Sequence, residues 1–252
     1  MIGARRILSV RVDDVTPDET VDFVRHAIGE RRSRRIVTVN PEFVMRARSD
    51  RAFAGVLEMA DLAVPDGTGL AWACRRAGMP LRSLVRGVDL VETLAESAAV
   101  EGWRVFLLGA GPGVADETAQ VLCRRFPGLT IAGVFGGRSG PEGDGETRAA
   151  IERAGRVDLL LVAFGAPAQD LWIARNAQAL AIPVAIGVGG AFDYLSGRVA
   201  RAPRWAIEAG LEWLFRLSRQ PWRWRRQLAL LGFVRLVFSS PMAVQRLPAR
   251  SN

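Results

Sequence analysis

The sequence predicts an α/β fold, a mostly parallel sheet with helices on both faces, followed by a basic helical C-terminal appendage. Three observations predict it. Short β-branched apolar runs alternate with helix-like stretches along the chain, the pattern of strands joined by helical crossovers. Several of those runs are apolar at consecutive positions, as strands covered on both faces must be. The excess of positive charge lies entirely in the last fifth of the chain.

The candidate strands are residues 7–12 (ILSVRV), 36–40 (IVTVN), 62–64 (LAV), 105–109 (VFLLG), 129–135 (LTIAGVF), 159–164 (LLLVAF) and 184–188 (VAIGV). Helical segments fall between them, among others at 20–28, 90–99, 115–126 and 170–180. Right-handed crossovers place the C-terminal ends of parallel strands along one edge, where ligands of such sheets bind. The chain has 252 residues and about half of them are apolar. That suffices for one large core, assigned to residues 1–197, with residues 198–252 as the appendage.

The loops after the strands carry the unusual residues. They read Thr38-Val39-Asn40, Pro65-Asp66-Gly67, Gly109-Ala110-Gly111, Gly136-Gly137, Gly165-Ala166-Pro167-Ala168-Gln169-Asp170 and Gly187-Val188-Gly189-Gly190, the last followed closely by Asp193. Glycine lets backbone approach a ligand and presents N–H groups to phosphate. A single glycine loop is as readily a tight strand-to-helix turn, but several converging on one edge favour a nucleotide site. VFLLGAGPGVA (105–115) resembles the first turn of a dinucleotide-binding unit. That unit needs an acidic residue about 20 positions on to hold the ribose. Here the next strand ends in Gly136-Gly137-Arg138, without a carboxylate, which argues against a nicotinamide enzyme.

Cysteine and histidine usage argues against a metal centre. The chain has two cysteines and one histidine, so no zinc-type cluster is expected. Cys74 and Cys123 are read as buried thiols and His26 as a surface residue. Asp13-Asp14, before the first helix, is read as a solvated turn, and no cofactor is expected.

The ordered set of motifs TVNPEFV (38–44), ADLAVPDGTGL (60–70), VRGVDL (85–90), VFLLGAGPGVA (105–115), FGAPAQDLWI (164–173), IGVGGAFDYLSGRVARAPRW (186–205) and GLEWLFRL (210–217) resembles the WecG/TagA/CpsF family, glycosyltransferase family 26. The resemblance spans about residues 8 to 230. It implies a Rossmann-like core and an inverting, metal-independent transfer from a UDP-sugar to a sugar on polyprenyl diphosphate, for surface or exopolysaccharide. The donor sugar would be of the N-acetylmannosamine type or a hexose.

An inverting transfer needs a carboxylate to take the proton of the attacking hydroxyl, and the resemblance gives that role to Asp66. Read from the residues alone, an aspartate before Gly-Thr-Gly is equally a helix cap. Thr38 and Asn40 offer a hydroxyl and an amide to sugar hydroxyls, or cap a strand end. Arg86 is placed to neutralise the departing diphosphate, or is a solvated arginine. Gln169 matches the glutamine of the family's G-x-P-K-Q-E motif. The chain departs there, with Ala168 for the lysine and Asp170 for the glutamate, which leaves donor preference open. Gly109, Gly111, Gly136, Gly137, Gly189 and Asp193 are candidates for binding the nucleotide sugar.

From residue 198 onward there are 11 arginines against Glu208 and Glu212, whereas the remainder holds 23 basic and 24 acidic residues. The chain has no lysine, so every basic side chain is a guanidinium, suited to bidentate phosphate contacts. Tryptophan and arginine interleave there, as suits an anionic membrane interface. Arg216, Arg223 and Arg226 are candidates to grip the acceptor's diphosphate. No nucleic-acid partner is expected, because no RNA-binding signature accompanies the basic patch. The start of the chain meets Arg11 and Asp13 too soon for a signal peptide, and no uncharged apolar run reaches the roughly 18–20 residues of a spanning helix. The expected location is therefore cytoplasmic, peripheral on the inner face of the plasma membrane. A tail that orders against the core or a neighbouring subunit leaves a homo-oligomer open. A nucleotide-sugar-binding regulatory module without turnover is the alternative function.

Overall fold

The computed structural model describes residues 2–208, 212–219, 224–240 and 242–250. The chain opens with a hairpin, β1 (Ile2–Ile7) and β2 (Val10–Asp13), where the sequence predicts one strand over 7–12. The run reverses at Leu8, whose φ of 54° is left-handed, and at Ser9. Six parallel strands follow: β3 (Arg34–Val39), β4 (Leu62–Pro65), β5 (Arg104–Gly109), β6 (Thr130–Phe135), β7 (Leu159–Ala163) and β8 (Val184–Gly187). They form one sheet in the order β4-β3-β8-β7-β5-β6. All six strands predicted for this sheet are present, shifted at their ends by a residue or two.

Successive residues of these strands serve different layers, as period-two geometry requires. Ile36, Leu62, Val105, Leu107, Leu159, Leu161, Val184 and Ile186 pack on one face against α1 (Pro17–Glu30), α5 (Gly87–Glu101), α6 (Val114–Arg125) and α9 (Ala191–Leu195). Their neighbours Phe106, Leu108, Leu160, Val162 and Ala185 pack on the other face with α7 (Asp144–Arg153) and α8 (Ala168–Asn176). Val37, Val39 and Ala63 pack there with α2 (Pro41–Ala47), α3 (Arg51–Glu58) and α4 (Thr68–Arg76). Burying each large aliphatic side chain is worth about 1.5–3 kcal/mol, which is why the consecutive apolar runs read as central strands.

Helix starts follow local chemistry. Thr16 and Glu19 form a reciprocal capping box on α1 with Pro17 in its first turn, and Asp50 caps α3 through the Phe53 N–H. In α6 the buried positions Val114, Thr118 and Leu122 are spaced by four. Cys123 falls just off that stripe and is exposed, not buried as read from the sequence. Cys74 is buried, and burial pushes its thiol up to about 11. His26 is exposed, as expected.

The basic C-terminal segment contains α10 (Arg204–Glu208), α11 (Glu212–Arg219), α12 (Trp224–Ser239) and β9 (Val244–Arg250). Two of its elements, α12 and β9, pack directly on the rest of the chain. Phe233 and Val237 of α12 are buried with α2 and α4 residues, and Gly232 lies so close to Met45 that a Cβ would sit 3.1 Å from its terminal methyl. Strand β9, absent from the expected elements, pairs antiparallel with β1 to give a three-stranded sheet β2-β1-β9.

Asp13 and Asp14 are buried, which corrects their reading as a solvated turn. Asp13 accepts the Ala63 N–H of β4 at 2.8 Å and lies 3.4 Å from Arg11, while Arg11 donates to the Ala60 carbonyl at 2.6 Å. Asp14 accepts from Arg5 at 3.1 Å and from the Arg82 N–H at 2.9 Å. Asp13 fastens the small sheet to β4 of the large one, and Asp14 fastens it to the connection between α4 and α5. Removing one partner of a buried pair strands the other charge. Asp13→Ala is therefore expected to lower unfolding free energy by about 3–5 kcal/mol, read from urea denaturation; a loss below about 1 kcal/mol would show that the contact carries no such weight.

Candidate functional site

At the C-terminal edge of the sheet a cavity of about 500 Å³ is lined by the loops after β3, β4, β5, β7 and β8. From β3 come Thr38 and Asn40. Thr38 is buried and its hydroxyl donates to the Gly187 carbonyl at 3.0 Å, which ties β3 to the end of β8. The Asn40 carboxamide oxygen accepts the Phe43 N–H at 3.0 Å and caps α2, with Pro41 in the helix's first turn. Both side chains face the cavity but hold backbone at the same time.

From β4 comes Asp66, half-buried on the cavity wall, its N–H donating to the Val39 carbonyl at 2.7 Å. The cap position of α4 is Gly67, at φ 91°, and not Asp66. The N-terminus of α5 abuts this carboxylate: a Cβ on Gly87 would lie 3.9 Å from Asp66 Oδ2 and 3.7 Å from the Val188 carbonyl. Arg86 occupies the cap position of α5 and lines the cavity 3.9 Å from Asp89. The first turn of a helix directs unpaired N–H groups and the positive end of its dipole outward, so this corner favours anions.

Gly111, Gly189 and Asp193 also line the cavity. Gly109 does not, although it sits at the end of β5 with a φ of 98°. A Cβ there would lie 2.9 Å from the Phe164 ring and 3.0 Å from Ala163, so this glycine serves the approach of β5 to the β7 loop. Gly136 and Gly137 do not line the cavity either. They follow β6, the edge strand, on the far side of β5 from the other loops. Arg223 lies outside the described residues, as do the side chains of Arg216 and Arg226. Glu42, Tyr194 and Arg201, not singled out as site residues in the sequence, do line the cavity.

Gln169 is 1 % exposed, and its carboxamide oxygen accepts two N–H groups, from Gly165 at 3.1 Å and Gly189 at 2.9 Å. One side chain thereby fixes the β7 and β8 loops to each other. The close approach depends on Gly187: a Cβ there would lie 2.5 Å from Gln169 Nε2 and 2.8 Å from Asp170 Oδ1. Asp170 is itself fully enclosed, and neither carboxyl oxygen makes a hydrogen bond of ordinary geometry. Burial pushes its pKa up to about 7, against the weaker downward pull of its own N–H and the Gln169 amide. Among the described residues no group of three or more His, Cys, Asp or Glu side chains converges as a metal site would require.

The Asp170 carboxyl gives a pH dependence with a definite sign. Its folded pKa lies above the ordinary 3.8, so between pH about 4 and 7 the folded state holds a proton that the unfolded state releases. Stability therefore falls as pH rises through that window. Asp170→Asn keeps the shape and removes the titration; it is expected to be more stable than wild type at pH 8 and to lose that advantage at pH 4, measured by thermal unfolding. Parallel pH profiles for the two proteins would contradict a buried, neutral Asp170.

Comparison with known proteins gives this geometry its context. The model of the glycosyl transferase WecG/TagA/CpsF family matches residues 5–247. The N-acetylglucosaminyldiphosphoundecaprenol N-acetyl-beta-D-mannosaminyltransferase of Bacillus spizizenii is 35 % identical over 234 residues, covering 91 % of this chain and 90 % of that protein. Its namesake from Bacillus subtilis is 35 % identical over 213 residues, covering 83 % of this chain and 81 % of that protein. A cavity at the strand edge, an acidic residue beside a helix N-terminus and a match along nearly the whole chain agree: the protein is a glycosyltransferase and belongs to the WecG/TagA/CpsF family.

Proposed function

We propose that the enzyme transfers a sugar from a UDP-sugar to a saccharide on polyprenyl diphosphate, inverting the anomeric centre, in the synthesis of a surface or exopolysaccharide. The names of the two relatives favour N-acetylmannosamine as the sugar and N-acetylglucosaminyl-diphosphoundecaprenol as the acceptor. The observation that carries the reading is Asp66 on the cavity wall, beside the N-terminus of α5 and in the same cavity as Arg86.

In this mechanism Asp66 takes the proton of the acceptor hydroxyl as its oxygen attacks the anomeric carbon. The bond to the nucleotide diphosphate breaks, and the charge on that group is met by Arg86 and by N–H groups of α5 without a metal ion. Thr38, Asn40 and Gln169 hold the three loops that surround the sugar, with the Asn40 amide left to contact a hydroxyl. Gly111, Gly189 and Asp193 receive the nucleotide. Arg216, Arg223 and Arg226 hold the lipid diphosphate.

The acceptor must be reached at a membrane. No helix among the described residues is long and apolar enough to cross one. The C-terminal segment exposes Trp205, Trp213, Leu214, Trp224, Leu228 and Leu231 among its arginines. Such a mixture suits peripheral attachment to an anionic surface on the cytoplasmic side, with about 1 kcal/mol for each basic residue near the lipid.

Asp66→Asn is expected to lower transfer about 10²–10⁴-fold while UDP binding and melting temperature stay near wild type, with product followed by mass spectrometry. Near-normal turnover would remove Asp66 from the role of base. Replacing Trp224, Leu228 and Leu231 together by serine spares the buried face of α12 and is expected to abolish cosedimentation with vesicles containing an anionic lipid. Unchanged cosedimentation, or tight oligonucleotide binding without vesicle binding, would contradict membrane attachment through this surface.

A further inference from the structure

Arg201 lies 112 positions along the chain from Asp89 of α5, yet it lines the same cavity as Asp66 and Arg86. It lies in the irregular connection between α9 and α10. Its Nη2 donates to Asp89 Oδ1 in the first turn of α5, while Arg86 Nη1 lies 3.9 Å from Asp89 Oδ2. One carboxylate thus holds two guanidinium groups, one on each oxygen. The three side chains together carry a single net positive charge, and they sit at the first turn of α5, whose Gly87 and Val88 line the cavity.

Two features separate this arrangement from an ordinary surface ion pair. Arg201 Nε is buried and has no hydrogen-bond partner, an uncompensated donor that a protein does not keep for stability. The Arg201–Asp89 pair is also about a third exposed, and pairs of that kind stabilise a fold only weakly. As a staple it does little. As a preset fork for a diphosphate it is apt, because guanidinium groups bind phosphate oxygens in bidentate fashion and lose less freedom when already oriented.

We infer that Arg201 and Arg86, aligned by Asp89, form a diphosphate-binding pair, with Arg201 a direct ligand contact and Asp89 a positioning residue. The inference rests on the proposed transfer from a UDP donor to a lipid diphosphate. Either diphosphate has the required chemistry, and the cavity wall shared with Asp66 favours the one that leaves the donor.

The test is calorimetric titration of the full chain with UDP, UMP and farnesyl diphosphate, in wild type, Arg201→Ala, Arg201→Lys and Asp89→Asn. Arg201→Ala is expected to weaken UDP binding about ten- to hundred-fold and to leave UMP, which lacks the second phosphate, within about two-fold. Arg201→Lys should recover part of the loss, since it restores charge but not the fork, and it serves as the reading if the alanine variant does not fold. Asp89→Asn should narrow the gap between UDP and UMP. Weakened farnesyl diphosphate binding with UDP unchanged would keep the pair and assign it to the acceptor. Wild-type affinity of Arg201→Ala for both diphosphates would overturn the inference and leave the donor reading intact. A wild-type protein that binds neither diphosphate would overturn both.

Discussion

The parallel register of β4, β3 and β8 is the constraint on which the site depends. Thr38 stands opposite Val64, Val39 opposite Pro65, and Ile36 opposite Ile186. Asn40 and Asp66 therefore leave the sheet side by side, with Val188 level with Thr38, and a one-residue slip would turn every one of these strands inside out. Two side-chain contacts fix the loops beyond the register. Thr38 reaches the Gly187 carbonyl across β3 and β8, and Gln169 gathers the N–H groups of Gly165 and Gly189. The second contact needs the bare Cα of Gly187, where a Cβ would lie 2.5 Å from Gln169 Nε2, so the core packing and the shape of the cavity are not separable.

Around that frame the electrostatics are uneven. Asp66 and Asp193 on the wall face Arg86 and Arg201, and the N-terminus of α5 adds a positive end close to Asp66. Asp170, buried beside Gln169, has its pKa raised to about 7 by burial. A chain without lysine places a planar, permanently charged guanidinium at every basic position. That suits the proposed stabilisation of a leaving diphosphate by fixed donors.

The sheet was legible because its strands are buried on both sides and so read as uninterrupted apolar runs, as in LLLVAF at 159–164. Asp66, Thr38, Asn40 and Gln169 were legible as members of loops that follow strands and Arg86 as the residue that opens a helix, and all five line one cavity. Strand order is not written in periodicity, which is why Gly136 and Gly137 looked equivalent to Gly189 although β6 lies at the sheet edge. Long-range partners were equally silent. Asp13-Asp14 reads as a polar turn until Arg5, Arg11 and Arg82 surround it, and β9 is a polar, proline-containing stretch that becomes a strand only through pairing with β1. Arg201 looked like one more arginine of the basic tail because its partner, Asp89, stands at the other end of the chain's path through the sheet.

The C-terminal segment belongs to the site through these same contacts. Helix α12 rests on α2 and α4, the two helices that begin at Asn40 and Gly67, and Leu230 would lie 3.5 Å from a Cβ on Gly69. The surface proposed to meet lipid is thereby continuous with the loops that carry the proposed base. The most direct measurement of this account is a crystal structure with UDP bound. The diphosphate is expected at the α5 N-terminus, on the same cavity wall as Asp66; a nucleotide seated on the Gly136-Gly137 turn, away from that carboxylate, would contradict the proposed role of Asp66.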